Sequence, residues 1–126
     1  MQQKKFYVTT PIYYANGLPH IGHANSSFIA DLYARRYRLM WYEVKFSTWV
    51  DENGQKMVEK AESEWKDVKT FLDEIAAWSV EIWKELQISY TDFIRTTSED
   101  HKEFVQKMLN IVHDQSESVS DEAQKD

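Results

Sequence analysis

His20 and His23, three residues apart, and Asp51 make the strongest case for chemistry in this chain. Positions three apart share one face of a helix. A helix opening near His20 therefore places both imidazoles in its first turn. There they join unsatisfied backbone N–H groups and the positive end of the helix dipole, a combination that attracts phosphate. Gly22 stands between them and allows a flat ligand to approach the backbone. Taken alone, a His-x-x-His pair is more often structural. Asp51 follows a strand-like run, and in open α/β sheets ligands bind beyond the carboxyl ends of the strands. A carboxylate there can hold an ammonium group, or it can simply cap a helix.

The flanking elements must position these side chains. Lys5 to Thr9 is rich in aromatic and β-branched residues and predicts a strand. Pro11, Asn16-Gly17 and Pro19 predict a loop that carries Ile12 and Tyr14. From His20 to Met40 a helix is expected, with Ile21, Ala24, Phe28 and Leu32 at helical spacing. Glu43 to Ser47 predicts a second strand, completing a right-handed βαβ unit with parallel strands. Further helices are expected over 53–64, after an N-cap at Asp67, and after Thr97 or Ser98. An extended connection is expected over 88–97, with Arg95-Thr96-Thr97 as a structural turn. Glu52 and Lys56 read as solvated helix charges. From Gln115 the chain is polar, acidic and without apolar periodicity, which predicts disorder. The domain organisation expected is one domain over 1–115 and a disordered acidic tail over 116–126.

The run KKFYVTTPIYYANGLPHIGH (4–23) resembles the signature of class I aminoacyl-tRNA synthetases, with His20-Ile21-Gly22-His23 as its HIGH motif. Together with VDENGQK (50–56) and ISYTDFIRTT (88–97), it resembles the methionyl-tRNA synthetase family over roughly residues 4–115. The resemblance implies an α/β fold: a Rossmann-like class I synthetase nucleotide-binding (HUP-type) fold, here with an incomplete parallel sheet and flanking helices. It implies a methionine-tRNA ligase that binds ATP, as its Mg2+ complex, and methionine. Catalytic roles would fall to His20 and His23, ATP binding to Tyr14, His20, Gly22 and His23, and methionine binding to Ile12, Tyr14 and Asp51. Contact with tRNA would come only from other regions of the full enzyme. The KMSKS-like second signature of the family is not in these residues, so the chain by itself is expected to be inactive. A standalone nucleotide-binding module, or another nucleotidylyltransferase with a HIGH motif, is the alternative.

Composition fits this frame. The chain has 126 residues, 42% hydrophobic and 29% charged, as in ordinary globular domains. A net charge of −6 argues against gripping a nucleic-acid backbone unaided. With no cysteine there is no disulfide framework or Cys-based zinc site, and no protein metal ligand or zinc site is identifiable. No apolar run approaches a membrane span, and the N-terminus lacks a signal-peptide core. A cytoplasmic location is expected.

Tryptophan is over-represented, with five residues against three glycines. Trp41, Trp49 and Trp65 all stand where the family pattern has glycine. Trp41 and Trp65 follow helices, where a left-handed residue is usual and glycine is favoured. Trp49 lies beside Asp51, where an indole intrudes on the expected ligand space. Some bacterial lineages read UGA as glycine where a common alternative table reads tryptophan. Translation of UGA with the wrong table would explain all three positions together; a drifting pseudogene or deliberate substitution is the alternative. Trp83 matches a tryptophan of the family and is expected to be genuine.

Overall fold

The computed structural model describes the backbone of residues 3–123 and the side chains of residues 3–115. It divides into two compact units, 1–96 and 97–126. In the first unit the elements run β1 (Lys5–Tyr14), α1 (Ile21–Leu39), β2 (Glu43–Asp51), α2 (Gln55–Ser63), α3 (Val68–Glu85) and β3 (Asp92–Arg95). The strands form one sheet in the order β1-β2-β3, with both pairs parallel. The α/β class with a parallel sheet and flanking helices agrees with the sequence reading.

Several boundaries differ. Thr9 was the expected end of the first strand, but β1 continues to Tyr14, so Ile12 and Tyr14 belong to strand rather than loop. Pro11 is accommodated because β1 is an edge strand and its register with β2 shifts between Thr9 and Ile12. Proline lacks the N–H a ladder needs and is confined to such places. Strand β2 extends past Ser47 to Asp51. The expected extended connection contains a true strand, β3, which pairs Ser47 to Val50 of β2 with Asp92 to Arg95.

Right-handed crossovers that move steadily in one direction place every crossover helix on the same face. Accordingly Ala24, Ala30 and Ala34 of α1 and Trp83 of α3 share one buried cluster with Tyr13 and Phe46 of the sheet. The alanines let α1 lie close to the strands. A second cluster joins Met57 and Ala61 of α2 to Phe71, Leu72 and Ile75 of α3 and to Ala15. The other face of the sheet exposes Tyr7, Ile12 and Tyr14.

Asp31 is the main polar tie within this unit. Its carboxylate accepts from Arg35 Nε at 2.6 Å and from the Ser89 N–H at 2.8 Å. Burial acts to raise its pKa, but the hydrogen bonds from Ser89 and Arg35 outweigh it and hold the group below its ordinary value.

Helices α1, α2 and α3 all end in the same way. The Trp41 N–H donates to the Arg38 carbonyl at 3.0 Å and the Tyr42 N–H to the Tyr37 carbonyl at 3.1 Å. Trp65 with Lys66, and Gln87 with Ile88, repeat this pairing at the ends of α2 and α3. This is the Schellman arrangement, and it puts one residue in the left-handed region. Trp41 has φ 62°, Trp65 φ 58° and Gln87 φ 55°. The left-handed expectation at Trp41 and Trp65 is therefore met. Both indoles are almost bare, 85% and 96% exposed, so no packing offsets the backbone cost.

In the second unit, α4 (Glu99–Ala123) begins after Ser98, whose hydroxyl accepts from the His101 N–H at 3.4 Å. Its backbone is helical over 116–123, the stretch where the sequence reading places a disordered tail; 124–126 lie outside the described residues. Glu117, Glu122 and Ala123 are good helix formers, and they extend a helix already established by the turns before them.

Candidate functional site

His20 is the N-cap of α1, with an extended backbone at φ −119° and ψ 177°. Its Nδ1 accepts from the Gly22 N–H at 3.1 Å. The His20 N–H in turn donates to Nδ1 of His23 at 3.2 Å. This is a reciprocal capping box built from two histidines instead of the usual Ser or Thr with Glu. The rings stack at 3.9 Å between centroids. A ring nitrogen that accepts a hydrogen bond carries no proton, so each neutral imidazole bears its hydrogen on Nε2. The pair thus presents two Nε2–H donors at the positive end of α1. Neither ring is set up as a general base through Nδ1, because that atom is occupied. The arrangement suits electrostatic stabilisation of an anion.

Three neighbours hold this geometry. Gly22 has no room for a side chain: a Cβ there would lie 2.9 Å from Cε1 of His20. Its local reason is therefore the His20 ring, in addition to any ligand approach. Tyr13 lies beneath His23, with ring centroids 4.5 Å apart. The Tyr13 hydroxyl donates to the His23 carbonyl at 3.2 Å and pairs with the Ser27 hydroxyl at 3.2 Å. The sequence reading missed Tyr13. Strand alternation was the available signal, but it was lost once the loop was expected to start before residue 12. Burial, and then the charge of His20, hold the pKa of His23 below its ordinary value.

Ile12, Tyr14 and Asp51 gather at the carboxyl end of the sheet. Tyr14 is in register with Asp51, and Ile12 with Trp49. Paired residues of parallel strands project to the same face, and so do residues two apart. All four side chains therefore belong to the face opposite α1. The Asp51 carbonyl accepts from the Ala15 N–H at 2.8 Å, which ties the start of the 15–20 loop to the strand end. The Asp51 carboxylate accepts from the Asn53 N–H at 3.0 Å, so the cap-like role and an open carboxylate oxygen coexist. Trp49 does not have a positive φ. Its indole N–H donates to the Thr9 hydroxyl at 2.6 Å.

Glu52 corrects the sequence reading. It is buried, not solvated, and accepts from Arg95 Nε at 2.7 Å. Arg95 also meets Asp73 of α3 at 2.7 Å. These bonds lock β3 and α3 to the end of β2, so Arg95 is structural. Among the described residues there is no cluster of three or more His, Cys, Asp or Glu that could hold a metal ion. No helix among them is long and apolar enough to cross a membrane.

Comparison with known proteins shows the family. The family model of tRNA synthetases class I (M) matches residues 6–125. The chain is 47% identical over 115 residues to the methionine–tRNA ligase of Ureaplasma parvum, covering 91% of this chain and 22% of that protein. The structure of Mycobacterium tuberculosis methionyl-tRNA synthetase in complex with methionyl-adenylate aligns with a TM-score of 0.78 at 38% identity, covering 80% of this chain and 20% of the other. A LeuRS–tRNA–LeuAMS ternary complex from Agrobacterium radiobacter aligns with a TM-score of 0.81 at 22% identity, covering 92% of this chain and 15% of the other; this likeness is one of fold. The chain spans about a fifth of the length of the curated relatives it matches.

Proposed function

The chain belongs to the methionyl branch of the class I tRNA synthetases, and we propose that it carries the ATP and methionine subsites of a methionine-tRNA ligase. The histidine capping box at the start of α1 is the observation that carries this reading. In the reaction, a carboxylate oxygen of methionine attacks the α-phosphorus of ATP. The bond from the α-phosphorus to the α,β-bridging oxygen breaks, and pyrophosphate leaves with the electron pair. Negative charge grows on the phosphoryl oxygens, and the Nε2–H groups of His20 and His23 are aimed to stabilise it. The first-turn N–H groups of α1 add their dipole. ATP enters as its magnesium complex, with the metal belonging to the substrate. Gly22 and Tyr14 flank the nucleotide. Asp51 holds the methionine ammonium, and Ile12 and Tyr14 flank the amino acid. The methionyl group then passes to the terminal adenosine of tRNA, a step that uses surfaces outside this chain. A cytoplasmic location fits this role in protein biosynthesis.

The test is ATP binding to the chain, followed by imidazole NMR. ATP is expected to shift the His20 and His23 resonances but not those of His101 and His113. Asparagine is a good N-cap, so His20→Asn keeps the helix start while removing the imidazole. It is expected to weaken ATP binding about tenfold, a loss of about 1.4 kcal/mol. Unchanged affinity in His20→Asn would overturn the assignment. The 126-residue chain alone is expected to show no methionine-dependent pyrophosphate exchange; exchange would mean that the family's second signature is dispensable.

A further inference from the structure

We propose that Asn16 is a site of spontaneous deamidation, while the fold protects Asn53 in the chain's second Asn-Gly pair. The chemistry at Asn16 is independent of the proposed function; only its effect on ATP rests on that reading.

Asparagine is among the chemically labile residues. It is most labile before glycine, which has no side chain to hinder ring closure. The Gly17 backbone nitrogen, once deprotonated, attacks Cγ of Asn16. The N–Cγ bond forms, the Cγ–Nδ2 bond breaks, and ammonia leaves with the proton lost from the Gly17 N–H. Water opens the resulting imide at Cγ to give aspartate, or at the main-chain carbonyl carbon to give isoaspartate. Its hydroxyl goes to that carbon and its hydrogen to the nitrogen.

Asn16 is open to this step. The residue is exposed in the bend after β1. Neither its side chain nor the Gly17 N–H makes a hydrogen bond among the described residues. A Cβ on Gly17 would meet nothing within 4 Å, so the ring has room to form. Lys56 and Lys60, against Glu59 alone, line the depression beside Asn16. Their ammonium groups favour the deprotonated nitrogen and then the new carboxylate. Asn53 is also exposed, but it is held. Its Nδ2 donates to the Thr96 hydroxyl at 3.0 Å, and its N–H to the Asp51 carboxylate at 3.0 Å. Gly54 is the N-cap of α2, at φ 119°. Ring closure there must give up the Thr96 bond and turn the backbone at the helix start. At residue 16 the product adds a negative charge, and isoaspartate lengthens the backbone. Both changes fall between Ala15, whose N–H is tied to the Asp51 carbonyl at 2.8 Å, and the His20 cap.

The full chain is incubated at neutral pH in heavy-oxygen water, with and without urea, and digested for peptide mass mapping. In the folded chain Asn16 is expected to take up heavy oxygen about tenfold faster than Asn53, a factor set by the bonding that Asn53 must give up. In urea the two rates are expected to converge. Asn16 intact in the folded chain, or reacting no faster than Asn53, would overturn the proposal, and so would a gap that persists in urea. ATP is then titrated against fresh and aged chain. The aged form is expected to bind about threefold more weakly, the effect of one exposed charge added near the phosphates, while ageing changes nothing in Asn16→Gln. Unchanged affinity despite deamidation would overturn the effect on the site. No ATP binding to the fresh chain would overturn the proposed function and the ATP effect with it, while the mass map still decides the modification.

Discussion

At the start of α1 a single side chain, His20, caps the helix and, in the proposed function, also meets the phosphates of ATP. The two roles use different ring atoms: Nδ1 accepts from the Gly22 N–H, leaving Nε2–H to face outward. This division has a consequence in pH. Protonation puts a hydrogen on Nδ1, which can then no longer accept. Burial and the charge of His20 lower the pKa of His23 from 6.5. The folded state therefore disfavours the proton more than the unfolded state does. The stability this contributes is complete above the ordinary value and is lost as pH falls below it. Hydrogen exchange should show it: protection of the His20 amide, which donates to His23, is expected to drop between pH 7.5 and pH about 5. Constant protection across that range would show that the His23 acceptor does not hold the turn. Residue chemistry of this kind was visible in the sequence as far as the His-x-x-His spacing. The tautomers were not, since they depend on which N–H each ring happens to meet.

Among the elements, the helix ends stand out. Trp41 and Trp65 hold left-handed backbone in Schellman turns, with their indoles in solvent. A left-handed conformation costs a residue with a Cβ roughly 1–2 kcal/mol, partly offset because glycine gives the unfolded chain more freedom. Trp41→Gly and Trp65→Gly are each expected to stabilise the chain by about 1 kcal/mol, additively because the sites are independent. Urea unfolding reads this directly, and a loss of stability in either variant would contradict it. Sequencing the coding DNA is expected to find UGA at codons 41, 49 and 65. An ordinary tryptophan codon at any of them removes that explanation there. UGA at codon 49 would make the Trp49→Gly protein the natural one. The Glu52–Arg95–Asp73 bridge belongs to this scale too, because it joins the end of β2 to β3 and α3. Glu52→Ala leaves Arg95 with one carboxylate partner fewer and is expected to cost about 2 kcal/mol by thermal or denaturant unfolding. A change below about 0.5 kcal/mol would place the bridge with ordinary surface pairs.

For the molecule as a whole, the sheet sets the terms. Parallel sheets are normally covered on both faces. Here the crossover helices share one face, and the other exposes Tyr7, Ile12 and Tyr14. Exposed aromatic surface of that kind favours association. Light scattering from the isolated chain is expected to rise with concentration, and Tyr7→Lys is expected to reduce it without lowering the melting temperature. Scattering that is the same in both proteins would show that this face is not sticky in solution.

The sequence alone determined the family, the βαβ order, the cap at Asp67 and the left-handed sites at Trp41 and Trp65. Each of these is written locally: in a motif, in apolar spacing, or in a helix end whose geometry any residue must obey. It did not determine that β1 runs through Pro11 to Tyr14, that residues 92–95 form a strand, that Glu52 is buried, or that Tyr13 supports His23. Those outcomes depend on partners far along the chain. Pro11 is tolerated because β1 lies at the edge of the sheet; Glu52 is buried because Arg95 meets it. Short strands and buried charges are decided by what packs beside them, and only the tertiary structure supplies those neighbours.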